Sequence, residues 1–337
     1  MEETPKKKWW RWGTNRWFVL LFIIGGAIAA KYYPPIRPHV QLPAERLSHE
    51  PLFTLPIIGD FYLTNTLLAL IIADIILILI CFGVYRAVRS GALVPKGLSG
   101  AVEAFLEIIY NLTEGTAGKW AKAIFPWFAT ITLLVLVANW TELIPGVDSI
   151  GILEPSEDGY AVKNLGWATT IIKGNPHTGG ETGESGEGEL FGLVPFVRVV
   201  STDLNFTVAL AIIAVVMVQV MGIRAHKVNY FTKFWNTRTL FNKPIFGVID
   251  FGVGILELVS EFSKILSFAF RLFGNIFAGS VLLFVIGSLV PVFAQSMFLM
   301  LEFFVGMIQA IVFGLLTMTF MSQATQGHGE QHEEANV

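Results

Sequence analysis

The stretch from Pro244 to Leu289 restricts the possible folds more than any other part of this chain. It is apolar almost throughout, and as one helix it would be about 70 Å long. The hydrocarbon core of a bilayer is only about 30 Å thick. Such a helix must tilt steeply or lie partly in the membrane plane. Its first part carries Asp250, Glu257, Glu261 and Lys264, so that part is expected to run shallow. Further along stands Arg271. A guanidinium does not shed its charge in a protein, and holding one at membrane depth costs from about 2.5 to over 10 kcal/mol. Steps of three and four from Arg271 reach Ser260, Ser263, Ser267, Gly274 and Ala278, which share its helix face. Small residues let another helix approach closely. The pattern predicts that Arg271 meets a partner surface, and the natural partner of a buried guanidinium is a carboxylate.

Other apolar runs make the membrane reading general. The chain is 53% hydrophobic and 15% charged, too apolar for a soluble protein with so many long runs. Thr64–Tyr85, Trp127–Ile144, Asp203–Ile223 and Val292–Met321 are each expected to span. The fold class is therefore an all-α integral membrane protein with about five to six membrane helices, including a long tilted hairpin at about 244–323. One cysteine, Cys81, excludes an internal disulfide framework and a cysteine metal cluster.

The expected organisation runs as follows. Residues 1–16 form a basic N-terminus, and 17–31 an anchor helix or a signal-like segment with a small-residue pattern at Ala27 and Ala29. Residues 32–63 are an external segment, and 64–323 the membrane domain. Within that domain, 96–122 is amphipathic and expected at the inner interface. Residues 146–195 form an external, acidic, Gly-rich loop, and 324–337 a disordered tail. With the N-terminus inside, the inner segments hold 15 Lys and Arg and the outer ones 6, so both termini are placed in the cytoplasm if 17–31 remains as an anchor.

Several polar groups lie at membrane depth. Gln295, Glu302 and Gln309 recur every seven residues on the last helix, with Gly306 between them. They mark a side that faces water or another polar helix. Asn275 is one turn from Arg271 and serves either to aim the guanidinium or to line a proton path. Lys264 and Glu261 are three apart and suited to mutual neutralisation. Asp203 and Asn205 open a helix, where an N-cap is the simplest role. Asp74 and Glu142 are equally compatible with structural pairing and with function. Phosphate-binding-loop, zinc-protease and hydrolase-elbow motifs are absent from the sequence. The Asn111, Asn139 and Asn205 sequons sit at or near membrane helices and read as chance.

The run Glu257–Gly279, ELVSEFSKILSFAFRLFGNIFAG, resembles the signature of subunit a of F-type ATP synthase. Gln309-Ala310, Asn139–Pro145 and Thr202–Thr207 are similar to further motifs of that family, in the same order across about residues 50–323. The resemblance implies a stator subunit that packs on a rotating c-ring of small hairpin subunits, each with a membrane carboxylate. Two proton half-channels would meet that ring, with Arg271 as the family's essential arginine between them. Asn275 and Gln309 match the family's asparagine and glutamine. The proton-handling set is expected to comprise Arg271, Glu302, Gln309, Asn275, Ser280, Asp203, Asn205, Glu142 and Lys264.

The resemblance further implies a bacterial plasma-membrane location, peripheral-stalk b subunits and the rest of the F1Fo complex as partners, no nucleic acid, no cofactor or metal, and no catalytic site of the chain's own. Two departures stand out. Many members have an acid nine residues after the arginine and a histidine seven before the glutamine; here those positions are Ser280 and Glu302. Glu302 is therefore expected to be the inlet relay. The helix at 17–31 also exceeds the five spans common in the family. Outside it, two readings compete: a secondary transporter that uses Arg271 as counter-ion for an anionic substrate, and a structural scaffold with a buried ion pair.

Overall fold

The computed structural model describes residues 12–32, 44–56, 59–89, 97–172, 190–230, 244–289 and 293–326, apart from positions 49, 145, 165, 167, 168, 228 and 229. The basic segment up to residue 11, the basic run 231–243, the most Gly-rich part of the acidic loop, Pro291 and the last eleven residues lie outside that set.

Seven α-helices are described: α1 (Trp12–Tyr32), α2 (Asn65–Arg89), α3 (Leu98–Ala117), α4 (Ala121–Trp140), α5 (Leu204–His226), α6 (Pro244–Leu289) and α7 (Phe293–Thr325). Five stretches are long and apolar enough to cross a membrane: α2, α3 with α4, α5, most of α6, and α7. The protein is a multi-pass, predominantly helical membrane protein. In α1 the apolar part, Arg16–Ile28, is shorter than these.

The chain forms two compact units. The larger one comprises 41–151, 195–277 and 304–337. Its centre is an apolar cluster in which Phe268, Leu272 and Ile276 of α6 meet Ala310 and Phe313 of α7, Leu210, Ala214 and Val215 of α5, and Ile131 and Val135 of α4. A second cluster joins Ile109 of α3 to Ile124 and Phe128 of α4, Met221 of α5, and Met318 and Met321 of α7. Gly314 lets α7 close on α4: a Cβ there would run into Thr132 Oγ1 and stand 2.8 Å from the Phe128 ring. Gly118, at φ 50°, supplies the left-handed turn that ends α3 and admits α4. Strands β1 (Phe53–Leu55) and β2 (Gly59–Phe61) make a small antiparallel hairpin before α2.

The smaller unit comprises 1–40, 152–194 and 278–303. It holds α1, the C-terminal end of α6, the first turns of α7 and nearly all of a three-stranded sheet. The sheet is formed by β3 (Gly151–Asn164), β4 (Thr169–Ile172) and β5 (Phe191–Pro195), in the order β4-β3-β5.

The single helix over Pro244–Leu289 agrees with the span read from the sequence. Two features differ. The acidic region, read as a loop, carries that sheet, because its glycine and acid signal overshadowed the Val, Ile, Thr and Tyr content of the strands. The last helix continues past Met321 to Thr325. Tertiary contacts prolong it: Ser322 Oγ donates to the Thr116 carbonyl at 2.9 Å, and Thr325 is buried.

Candidate functional site: polar groups at membrane depth

The core fixes the direction of the Arg271 face. Phe268, Ala269, Leu272 and Ile276 are all held inside, so the other side of α6 is turned out. Arg271, Asn275, Ser260, Ser263, Ser267, Gly274 and Ala278 are all exposed. A Cβ at Gly274 would meet nothing within 4 Å. The small-residue stripe is therefore an open surface with a charge in it. Among the described residues the guanidinium's hydrogen bond is a long one, Nη2 to Ser267 Oγ at 3.5 Å. That bond orients the group and leaves its charge to be met from elsewhere.

Lys264, two turns earlier, is held differently. Its Nζ pairs with Glu261 Oε1 at 2.9 Å and lies 4.8 Å from the Phe320 ring centroid. The nearby Tyr230 is buried, its hydroxyl donating to Gln219 Oε1 at 2.6 Å. Burial, with the charges of Glu261 and Glu257, pushes that phenol up to about 12. Its ring rests on α5 at Gly222, where a Cβ would stand 2.5 Å from Tyr230 Cζ.

In the smaller unit, Glu302 of α7 and Ser280 of α6 are both buried. The Glu302 carboxylate lies against the α6 backbone at Gly279: a Cβ there would be 2.6 Å from Oε1 and 2.7 Å from Cδ. Among the described residues neither Glu302 Oε1 nor Ser280 Oγ has a hydrogen-bond partner. The buried acid thus lies against the residue that precedes the buried hydroxyl in α6. Gln295, on the same helix as Glu302, lies beside Gly287 of α6.

The remaining candidates sit in the larger unit. Asp203 caps α5: Oδ1 accepts from the Asn205 amide at 2.9 Å, and Oδ2 accepts from Thr66 Oγ1 of α2 at 2.9 Å. Asn205 itself is exposed, and Gln309 is half-buried. Glu142 is buried in the turn that follows α4. Beside it, Asn139 ties three elements together. Its Oδ1 accepts from Ser201 Oγ at 2.6 Å, and its Nδ2 donates to the Gly306 carbonyl of α7 at 3.1 Å. The sequence reading placed Asn139 and Gly279 inside family motifs, took the Asn139 sequon as chance, and gave neither residue a role of its own. The signal for Asn139 was an amide in an apolar helix, and for Gly279 a small residue beside Ser280 in a helix that faces a second helix's acid.

These features define a class: a multi-pass helical membrane protein with a fixed cation on an open helix face and a buried acid. Comparison with known proteins is more specific. Residues 67–322 match the family model described as ATP synthase A chain. The chain is 25% identical to ATP synthase subunit a of Moorella thermoacetica, over 75% of this chain and 88% of that protein. It is 29% identical to ATP synthase subunit a of Campylobacter jejuni strain 81-176, over 72% of this chain and 84% of that protein. The chain belongs to the ATP synthase A chain family.

Proposed function

We propose that this chain, as subunit a of the membrane sector of ATP synthase, forms two proton half-channels against a c-ring and couples proton flow to ring rotation. The observation that carries this reading is Arg271: a charge within an apolar helix, on an exposed face of small residues. A sliding partner must come close without interlocking, and serine, glycine and alanine permit that. Arg271 divides the half-channels and favours the ionised form of a passing ring carboxylate, which then takes a new proton beyond it. The field drives the cycle with about 2.3 kcal/mol per charge per 100 mV, added to the pH difference.

Glu302 serves as the inlet relay, supported by its burial and its place against Gly279. Asn275 and Gln309 aim the guanidinium or line the path. Asp203, Asn205, Glu142 and Lys264 are assigned to its polar surroundings. The b subunits of the peripheral stalk hold the chain still. Both termini face the cytoplasm, with residues 17–31 as an anchor.

The test is ATP-driven proton pumping in vesicles carrying Arg271→Ala, with the ring recovered by pull-down. An intact complex with pumping abolished is expected. Wild-type pumping would overturn the divider role. Glu302→Gln in the same assay is expected to pump at less than a tenth of the wild-type rate.

A further inference from the structure

Helix α2 carries an acid that the proton path does not use. Asp74 lies nine residues after Asn65 and twelve before Arg86, about 13 Å and 18 Å along the axis from those ends. It is thus near the middle of the span. The edge of α2 that packs inward is narrow and small: Asn65, Thr66, Ala69 and Ala73. Ala69 and Ala73 meet Ala138 of α4 and Val200. Only 11% of the apolar window of α2 is buried. Asp74 is on the open side, among Ile71, Ile75, Ile78 and Phe82, all exposed.

A carboxylate in hydrocarbon is expensive unless a cation or donor meets it. Its neighbours one turn away on α2 are Leu70, Ile71, Leu77 and Ile78, none of which can donate. Among the described residues no ion pair or side-chain hydrogen bond reaches it. The run Phe18–Ala30 of α1 holds no side-chain donor either.

We propose that the Ile71–Phe82 face of α2 seats a membrane-spanning helix of another subunit of the complex, which sets a basic side chain opposite Asp74. Charge complementarity selects the occupant: a basic residue at mid-membrane is as costly alone as the acid, and the two relieve each other. The contact is static, unlike the Arg271 face, because it is lined by branched and aromatic side chains that interlock.

The test uses the whole complex in native membranes. With the photoreactive p-benzoylphenylalanine at Ile78, an exposed site that leaves Asp74 in place, illumination is expected to join this chain to another membrane subunit. The link is expected within a spanning segment that has Lys, Arg or His within one turn. Adducts with lipid alone, links to a second copy of this chain, or a segment without a basic residue would overturn the proposal. Asp74→Lys is expected to lower recovery of the linked subunit at least tenfold. Asp in place of its basic residue should restore recovery, and failure to do so would refute the ion pair.

Discussion

Replacing Gly279 with alanine tests the inlet role proposed for Glu302 by geometry alone. The new methyl would lie 2.6 Å from Glu302 Oε1 and 2.7 Å from Cδ, where ordinary contact begins at 3.4 Å. The carboxylate must move by about 0.8 Å or more, and being the end of a flexible side chain, it can. The backbone is not the obstacle. Alanine in a helix interior is about 0.5–1 kcal/mol more favourable than glycine, so folding and assembly should survive. A relay displaced by about 1 Å loses up to a hundredfold in rate. Gly279→Ala is therefore expected to give a normal yield of complex with ATP-driven pumping slowed about tenfold to a hundredfold. Gly252→Ala, where a Cβ meets nothing within 4 Å, should pump normally. Glu302→Asp withdraws the carboxylate by one methylene, about 1.5 Å, and should partly rescue Gly279→Ala. Wild-type pumping by Gly279→Ala, or a double variant no better than the single one, would refute the reasoning.

Three further outcomes follow from the same structure. Asn139→Leu leaves the Ser201 hydroxyl and the Gly306 carbonyl buried without their partner, which should cost about 1–3 kcal/mol, read as earlier thermal dissociation of the solubilised complex. Burial pushes the Asp148 carboxyl up to about 6, against the opposing charge of Arg198. The native state holds that proton longer than the unfolded one, so its contribution to stability is full below about pH 4 and is lost as pH rises to about 6. Asp148→Asn should flatten stability across that window. For Tyr230 the raised phenol places the corresponding loss between about pH 10 and 12, and Tyr230→Phe should remove that alkaline step in the same stability measurement.

The long apolar runs made the membrane helices legible, since inside a bilayer the backbone has almost no alternative to a helix. Arg271 and Glu302 were legible for the opposite reason: ionisable groups stand out where everything else is hydrocarbon. What stayed hidden depends on three-dimensional proximity. Asn139 and Ser201 are 62 positions apart, and Asn139 and Gly306 are 167 apart, so no local pattern could join them. Gly279 looked like any small residue until the α7 acid was found against it. The strands at 151–195 were obscured because composition was read over a whole segment, while β pairing acts over stretches as short as the four residues of Thr169–Ile172.

The two cations of α6 show why one is expected to tolerate exchange and the other not. Lys264 has its counter-charge in the same chain at 2.9 Å, with an aromatic ring beside it. An arginine there keeps both contacts, so Lys264→Arg should assemble and pump within about twofold of wild type. Among the described residues Arg271 has only a hydroxyl at 3.5 Å, and its charge answers to whatever passes the open face. A lysine at 271 carries the same charge but can release its proton where water is excluded. On the proposed divider role it would then hand protons from one half-channel to the other. Arg271→Lys is expected to assemble, to lose coupled pumping, and to let a preformed pH gradient decay faster in vesicles without ATP. If the variant pumped normally and held the gradient as well as wild type, charge alone would suffice at this position. The argument from a cation that cannot deprotonate would then fall.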